Sequence, residues 1–138
     1  MKSLFCCPLC GAPLKREDFR WFCSNRHSFD RASAGYVHLL PANKKHSKDP
    51  GDDKAMVAAR SAFLEKGYYQ PLRDALCQAV AEYAVNFPDP VLLDSGCGEG
   101  YYTAGLFQAL SDEELSPRIA GVDLSKAALR RAARRVPK

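Results

Sequence analysis

Cys7, Cys10, Cys23 and His27 stand in the spacing C-x2-C-x12-C-x3-H. Cys7-Pro8-Leu9-Cys10 turns back on itself as one tight knuckle, and Cys23-Ser24-Asn25-Arg26-His27 makes a second knuckle with one residue more. Brought together, the two turns place three thiolates and one imidazole at the corners of a tetrahedron. Zinc takes that coordination in closed structural sites, which leave no position for water. A segment of about 40 residues buries too little surface to be stable alone, so the metal would supply folding free energy. Phe5, Phe19, Trp21, Phe22 and Phe29 are expected to form a small core around it. Disulfides are the competing use of these cysteines, but they fit poorly in a cytoplasmic chain, and the neighbours Cys6 and Cys7 make awkward bridge partners. Cys6 in place of Cys7 would give the less regular C-x3-C. Cys77 and Cys97 lie far off and read as ordinary buried thiols. His38 and His46 have no ligand-like spacing and read as surface or loop residues.

A second chemistry is written in "VLLDSGCGEGYYT", residues 91–103. Val91, Leu92 and Leu93 suit a short buried parallel strand that Asp94 ends. Gly96, Gly98 and Gly100 then alternate ahead of a helix carrying Leu106 and Leu110 on one face. Glycines at a strand-to-helix turn let the backbone swing tightly and let a ligand approach without meeting a side chain. Dinucleotide sites favour G-x-G-x-x-G, whereas this stretch reads D-x-G-x-G-x-G. The acidic residue ahead of the first glycine suits a positively charged ligand better than a pyrophosphate, and the sulfonium and amino groups of S-adenosylmethionine have that charge. "RIAGVDLS", residues 118–125, supplies a second strand ending in Asp123, whose carboxylate can accept both hydroxyls of a ribose. Ser125 caps the next helix.

These two sites need different scaffolds, and the chain is long enough for both. It has 138 residues, of which 46% are apolar, so it should be globular. No apolar run approaches the roughly 18 residues of a membrane span, and the N-terminus lacks the apolar stretch of a secretory signal; the expectation is a cytoplasmic protein. The net charge is +4, but residues 1–48 hold nine Lys/Arg against three Asp/Glu, while residues 49–138 hold eleven against thirteen. The basic excess therefore lies with the cysteines. The expected organisation is a zinc module over residues 1–41, a linker over 42–54 and an α/β segment over 55–138. Residues 54–66 read as a helix stopped by Gly67, and a second helix starts near Pro71 with Leu72, Leu76, Val80 and Tyr83 as its buried face. Lys44, Lys45 and Lys48 in the linker could equally meet phosphates or water.

The ordered blocks "CPLC", "CSNRHSFD", "GYVHLLP", "SKDPGD", "AARSAFLEKGYYQPL" and "DSGCGEGYYT" give the chain a family resemblance. It resembles the N-terminal half of the bacterial 23S ribosomal RNA (guanine-N1)-methyltransferases, most of all the enterobacterial type. The resemblance implies a zinc-binding RNA-recognition module joined to a class I (Rossmann-like) S-adenosylmethionine-dependent methyltransferase domain, here truncated. It implies one structural zinc on Cys7, Cys10, Cys23 and His27, and S-adenosylmethionine as cofactor. It makes Tyr69, Gly98 and Glu99 contacts to that cofactor, with Asp94, Gly96, Gly100 and Asp123 following the general class I pattern. Without it, Tyr68 and Tyr69 would read as core aromatics at a helix boundary. The implied partner is a hairpin loop of large-subunit ribosomal RNA, with no membrane, and the resemblance leaves room for a homodimer in full-length members.

Guanine N1 lies on the Watson–Crick edge and carries a proton, so the base must be exposed and a positioned group must take that proton as the methyl transfers. None of these residues identifies that group. Arg16, Arg20, Arg26 and Arg31 are expected to meet phosphates, which would position RNA without reading its sequence. A class I domain needs several parallel strands, and two are legible, so the chain reads as an inactive fragment. The alternatives are a zinc-dependent RNA-binding module without catalysis and, against the glycine spacing, a nucleotide-dependent oxidoreductase.

Overall fold

The computed structural model describes residues 3–136, which form two compact units, one up to Pro50 and one from Gly51 onward. The first is an antiparallel sheet of three very short strands, β1 (Lys15–Arg16), β2 (Arg20–Phe22) and β3 (Ser28–Asp30), in that order. Arg16 pairs with Trp21, and Trp21 with Phe29, so aromatic residues meet across the strands. Strands this short hold only against a shared core. That core is Cys7, Leu14 and Cys23, with Phe5, Ala12, Trp21, Phe29 and Leu39 packed around them. Phe5 meets Trp21 edge-on at 5.5 Å between centroids. Phe19 departs from expectation: it is 85% exposed. It sits at the tip of the β1–β2 hairpin, which Glu17 N–H closes onto the Arg20 carbonyl, and a hairpin tip points away from the core it serves. Phe22 is half-buried, with the Arg20 guanidinium 5.3 Å from its ring centre. A single 3-10 turn, Ala42–Lys44, follows in this unit.

The second unit is mixed α/β. Helix α1 (Lys54–Glu65) begins where the Asp53 carboxylate accepts from Met56 N–H and ends ahead of Gly67, whose φ is +80°. Helix α2 (Gln70–Ala84) carries Pro71 in its first turn, where the missing N–H costs nothing. Strand β4 (Val91–Ser95), helix α3 (Tyr101–Asp112) and strand β5 (Arg118–Val122) make a βαβ unit with parallel strands, Leu92 beside Ile119 and Asp94 beside Gly121. Helix α4 (Lys126–Arg135) follows. The strand β4 runs one residue beyond Asp94 instead of ending there, and Asp123 lies just past β5. Leu92 and Ile119 pack on Ala81, Ala84 and Leu110, so the helices cover one face of the sheet. On the other face Val91, Leu93 and Val122 are exposed. Among the described residues, no helix is long and apolar enough to cross a membrane.

The face that α2 buries differs from the expected one. Leu72, Leu76 and Tyr83 are exposed, and Cys77, Ala81 and Ala84 are buried in their place. The two stripes differ by one residue, a rotation of about 100° on a helix of 3.6 residues per turn. Small side chains win because α2 and α3 approach closely: a Cβ at Gly105 would stand 2.9 Å from Cys77 Sγ. Tyr68 and Tyr69 are also exposed, against their reading as core aromatics.

At the other end of the unit, Ser125 caps α4, its buried hydroxyl accepting from Ala128 N–H and donating to the Asp52 carbonyl. Removing that hydroxyl strips a buried N–H and a part-buried carbonyl of their partner. Ser125→Ala is expected to cost about 1–2 kcal/mol, read as a lower urea midpoint with the slope unchanged.

Candidate functional site

In the first unit, the ligand atoms of Cys7, Cys10, Cys23 and His27 all lie within 4.8 Å of one another. Each knuckle is built by its backbone. Gly11 N–H donates to the Cys7 carbonyl and Cys7 N–H to the Ala12 carbonyl, with Gly11 at φ +73°. Arg26 N–H donates to the Cys23 carbonyl and Cys23 N–H to the His27 carbonyl, with Arg26 at φ +64°. Left-handed backbone after a tight turn is what points two ligands at one centre, and in the second knuckle a non-glycine residue adopts it.

The distances test the fit to zinc. A tetrahedron with ordinary zinc–sulfur and zinc–nitrogen lengths has sulfur–sulfur edges of about 3.8 Å and sulfur–nitrogen edges of about 3.6 Å. Cys10 Sγ and Cys23 Sγ are 3.7 Å apart, and His27 Nδ1 is 3.5 Å from the Sγ of both Cys7 and Cys23. The donor set therefore fits one zinc ion, with His27 offering Nδ1, an assignment that the spacing alone does not make. Cys7 and Cys23 are buried and Cys10 is exposed. Burial pushes the Cys7 thiol up, whereas the Ala12 backbone N–H, and then Asn25, hold Cys10 down to about 6. Cys6 is exposed and lies outside the cluster.

Of the four arginines in this unit, Arg20 is paired with Glu17 at 2.7 Å, and Arg31 donates to the carbonyls of Gly35 and Asp18. Arg16 and Arg26 are exposed, and no such bond holds either side chain among the described residues.

In the second unit, the loop between β4 and α3 holds Gly96, Gly98 and Gly100 at φ +78°, +56° and +78°. All three conformations favour glycine, but the glycines face different things. A Cβ at Gly96 or Gly98 would meet nothing within 4 Å, while one at Gly100 would stand 3.2 Å from both Ala132 Cα and Val136 Cγ2. Gly100 serves packing against α4, and Gly96 and Gly98 bare the backbone to open space. Asp123 closes this loop: one carboxylate oxygen accepts from Gly98 N–H at 2.9 Å and the other from Ser125 N–H at 2.8 Å. Each oxygen keeps a lone pair for a further donor. Asp94 accepts from the buried Thr103 hydroxyl at 2.5 Å. Thr103 stands two residues into α3, and nothing in its spacing marks it as the partner of Asp94.

Glu99 is 4% exposed, and neither carboxylate oxygen has a hydrogen bond; Arg135 approaches one of them at 3.3 Å. A buried carboxylate ion-paired with Arg135 but without a hydrogen bond, bare glycine backbone and a carboxylate at the end of the adjacent strand together fit a ligand bearing cationic and hydroxyl groups, as S-adenosylmethionine does. Tyr69 precedes α2 with its ring edge-on to Phe63 at 5.4 Å, and its neighbour Gln70 accepts from the hydroxyl of Tyr101, the first residue of α3, at 3.5 Å. Cys97 is buried within the loop, its thiol pushed up to about 12 by burial and then by Asp94 and Asp123. It and Cys77, also raised by burial, are inert packing thiols.

Comparison with known proteins adds a lineage to this geometry. Residues 5–48 match the zinc-ribbon family described as RlmA, N-terminal. Over 96% of its length the chain is 39% identical to the 23S rRNA (guanine(748)-N(1))-methyltransferase of Streptomyces fradiae, covering 45% of that protein. It is 37% identical over the same share to a protein of Micromonospora griseorubida provisionally named 23S rRNA (guanine-N(1)-)-methyltransferase, covering 48% of it. A protein of Bacillus subtilis with the same provisional name is 31% identical, with 46% covered. The chain thus spans about half the length of the curated relatives it matches, and along that half it is similar to proteins named as 23S rRNA (guanine-N1)-methyltransferases.

Proposed function

We propose that the chain serves S-adenosylmethionine-dependent methylation of N1 of a guanine in a hairpin loop of 23S ribosomal RNA. In this reading it contributes a zinc-stabilised RNA-binding unit and the first part of a class I methyltransferase domain. The observation that carries the cofactor half is the bare backbone at Gly96 and Gly98, set between Asp94 and Asp123. S-adenosylmethionine supplies a methyl group on a sulfonium centre. Asp123, held by two backbone N–H groups, offers its remaining lone pairs to ribose hydroxyls. Asp94, fixed by Thr103, contributes negative charge toward a cationic ligand. Glu99, whose second oxygen has neither a hydrogen bond nor the Arg135 ion pair, and Tyr69 complete the proposed contacts. Cys7, Cys10, Cys23 and His27 hold the structural zinc.

A second reading, RNA binding without turnover by these 138 residues, is favoured by one observation. Only two parallel strands are present among the described residues, and one apolar face of that sheet is exposed. The two readings agree on the binding sites and part on chemistry. Titration calorimetry of the chain with S-adenosylmethionine and with a dinucleotide tests the first: heat from the former and none from the latter is expected, and the reverse would make the loop a dinucleotide site. Incubation with labelled cofactor and unmodified large-subunit RNA tests the second, with no methylation expected from this chain alone.

The RNA half rests on the exposed basic side chains of the first unit. Arg16→Glu or Arg26→Glu is expected to weaken binding of an rRNA hairpin without changing cofactor affinity. The slope of log affinity against log salt should fall by roughly 0.7–0.9 for each phosphate that the protein no longer neutralises. Arg20→Glu should do less, because Glu17 already engages that guanidinium. Salt slopes unchanged from that of the unsubstituted chain in all three variants would remove this unit from RNA recognition.

A further inference from the structure

Helix α4 carries five cations in ten residues, Lys126, Arg130, Arg131, Arg134 and Arg135, and no acidic residue. Two of the five have structural work. Arg131 donates to the Ser61 hydroxyl at 2.9 Å and Arg135 lies 3.3 Å from the Glu99 carboxylate, so the flank that bears them is fixed against its neighbours. Arg130 and Arg134 have no such task. Each follows a buried alanine, Ala128 or Ala132, by two residues, a rotation of about 200° on a helix of 3.6 residues per turn, so both stand opposite the core. Both are exposed, and among the described residues no ion pair or hydrogen bond holds either guanidinium. The acids around the helix do not cancel this charge. Asp123, at its start, is given to the N–H groups of Gly98 and Ser125, and Glu99 to Arg135. On α1, Asp52 pairs with Arg60 and Asp53 caps the helix. Residues 52–66 hold Asp52, Asp53 and Glu65 against Lys54, Arg60 and Lys66, so that stretch is neutral and the excess belongs to α4.

Folding does not explain these charges. Like charges four residues apart, as in Lys126 with Arg130, Arg130 with Arg134 and Arg131 with Arg135, each weaken a helix. The helix dipole favours cations in the last turn, which accounts for Arg134, but Lys126 in the first turn meets the positive end. We propose that Arg130 and Arg134, with Lys126 one turn before them, form a second phosphate-binding surface for the RNA. The inference rests on the reading of RNA as the chain's partner and adds to it a contact made by the second unit. A guanidinium engages a phosphate through two parallel N–H donors, and arginine predominates on this helix. Arg130 and Arg134 lie one turn apart on one face, roughly 5–6 Å between Cβ atoms, a spacing that lets them take neighbouring phosphates of one strand. Such a contact goes to the backbone, so it positions RNA without reading its sequence. The helix that bears it also packs against Gly100 through Ala132, at the end of the glycine loop. An anionic membrane, the other partner a basic helix could take, would require an apolar face free to insert. That face of α4 is already covered, with Ala128 and Ala132 buried.

The test is the salt dependence of binding between the zinc-loaded chain and a large-subunit rRNA hairpin, with Arg130→Gln and Arg134→Gln combined in one variant. Losing two phosphate contacts should lower the slope of log affinity against log salt by roughly 1.4–1.8 and weaken binding about tenfold or more at low salt. The urea midpoint should not fall, because the substitutions relieve repulsion within α4 and remove no contact, and S-adenosylmethionine affinity should stay as it was. Lysine at both positions should restore the slope, since counterion release follows charge. An unchanged slope in the glutamine variant overturns the proposal, and a lower urea midpoint alongside it makes the two arginines structural. If Arg26→Glu still weakens the hairpin in that case, the reading of an RNA partner stands without this surface. Failure of the unsubstituted chain to bind the hairpin overturns both. A glutamine variant that keeps its hairpin affinity but loses binding to phosphatidylglycerol vesicles gives the surface to a membrane and likewise overturns the proposal.

Discussion

Cys23→Ser is expected to unfold the first unit and leave the second standing. The reason lies in how little else holds the first unit together. Its strands are two or three residues long, and two of the three buried residues in its core are themselves the ligands Cys7 and Cys23. Losing the metal therefore removes both the crosslink and the reason for the thiols to converge, and uncompensated thiolates in a buried cluster repel one another. Structural zinc sites in small domains contribute about 10–16 kcal/mol of apparent binding free energy, far above what such a core supplies. The sequence provides its own reporter. Trp21 is the single tryptophan and packs on Phe5 in this core, so its emission should shift to that of a solvated indole. Among the described residues the four α-helices all lie from Lys54 onward, so the helical circular dichroism should persist. A strong chelator should produce the same pair of results in the unsubstituted chain, and zinc, one ion per chain by elemental analysis, should reverse it. His27→Ala should behave like Cys23→Ser, whereas Cys6→Ser should do nothing, since that thiol lies outside the cluster. Unshifted tryptophan emission in metal-free protein would show that the aromatic core holds the unit by itself.

The metal cluster and the glycine loop were legible in the sequence because both depend on residue types that chemistry constrains at short range. Three cysteines and a histidine in two knuckles have few other uses, and three glycines at alternate positions match three left-handed backbone conformations. What stayed hidden was decided by contacts between distant parts of the chain. Either stripe of α2, 72/76/80/83 or 77/81/84, has helical spacing; the choice rests on Gly105 letting α3 come close to Cys77, and no pattern within α2 reveals that. Phe19 is apolar, yet it occupies a hairpin tip whose position follows from the pairing of β1 with β2. The same limit applies to the site. Asp94 and Asp123 could be singled out as carboxylates at strand ends, but their partners, Thr103 and the N–H groups of Gly98 and Ser125, follow from the folded loop. The approach of Arg135 to Glu99 joins residues 36 positions apart, so it was beyond any local motif.

Gly98→Val is expected to remove cofactor binding while leaving the fold in place, and the contrast with Gly100 is what makes the result informative. At Gly98 the left-handed conformation costs a β-branched residue roughly 1–2 kcal/mol, but its side chain enters open space, so nothing packed is displaced. That open space is where a ligand lying on the bare backbone must be. The valine would then compete directly with the ligand, and S-adenosylmethionine affinity should fall by about a hundredfold or more, about 2.8 kcal/mol. Gly100→Val inverts the pattern. Its side chain would be driven into Ala132 and Val136, so α4 must shift and stability should fall by more than at Gly98, typically about 1–3 kcal/mol for overpacking on top of the backbone strain. Part of its effect on cofactor would then come from the displaced helix, and a modest urea-dependent loss of folded protein would account for it. Calorimetric affinity and urea midpoints measured on both variants separate the two roles. If Gly98→Val binds S-adenosylmethionine as the unsubstituted chain does, the cofactor does not lie on this loop, and the carboxylates of Asp94 and Asp123 serve only to hold the turn.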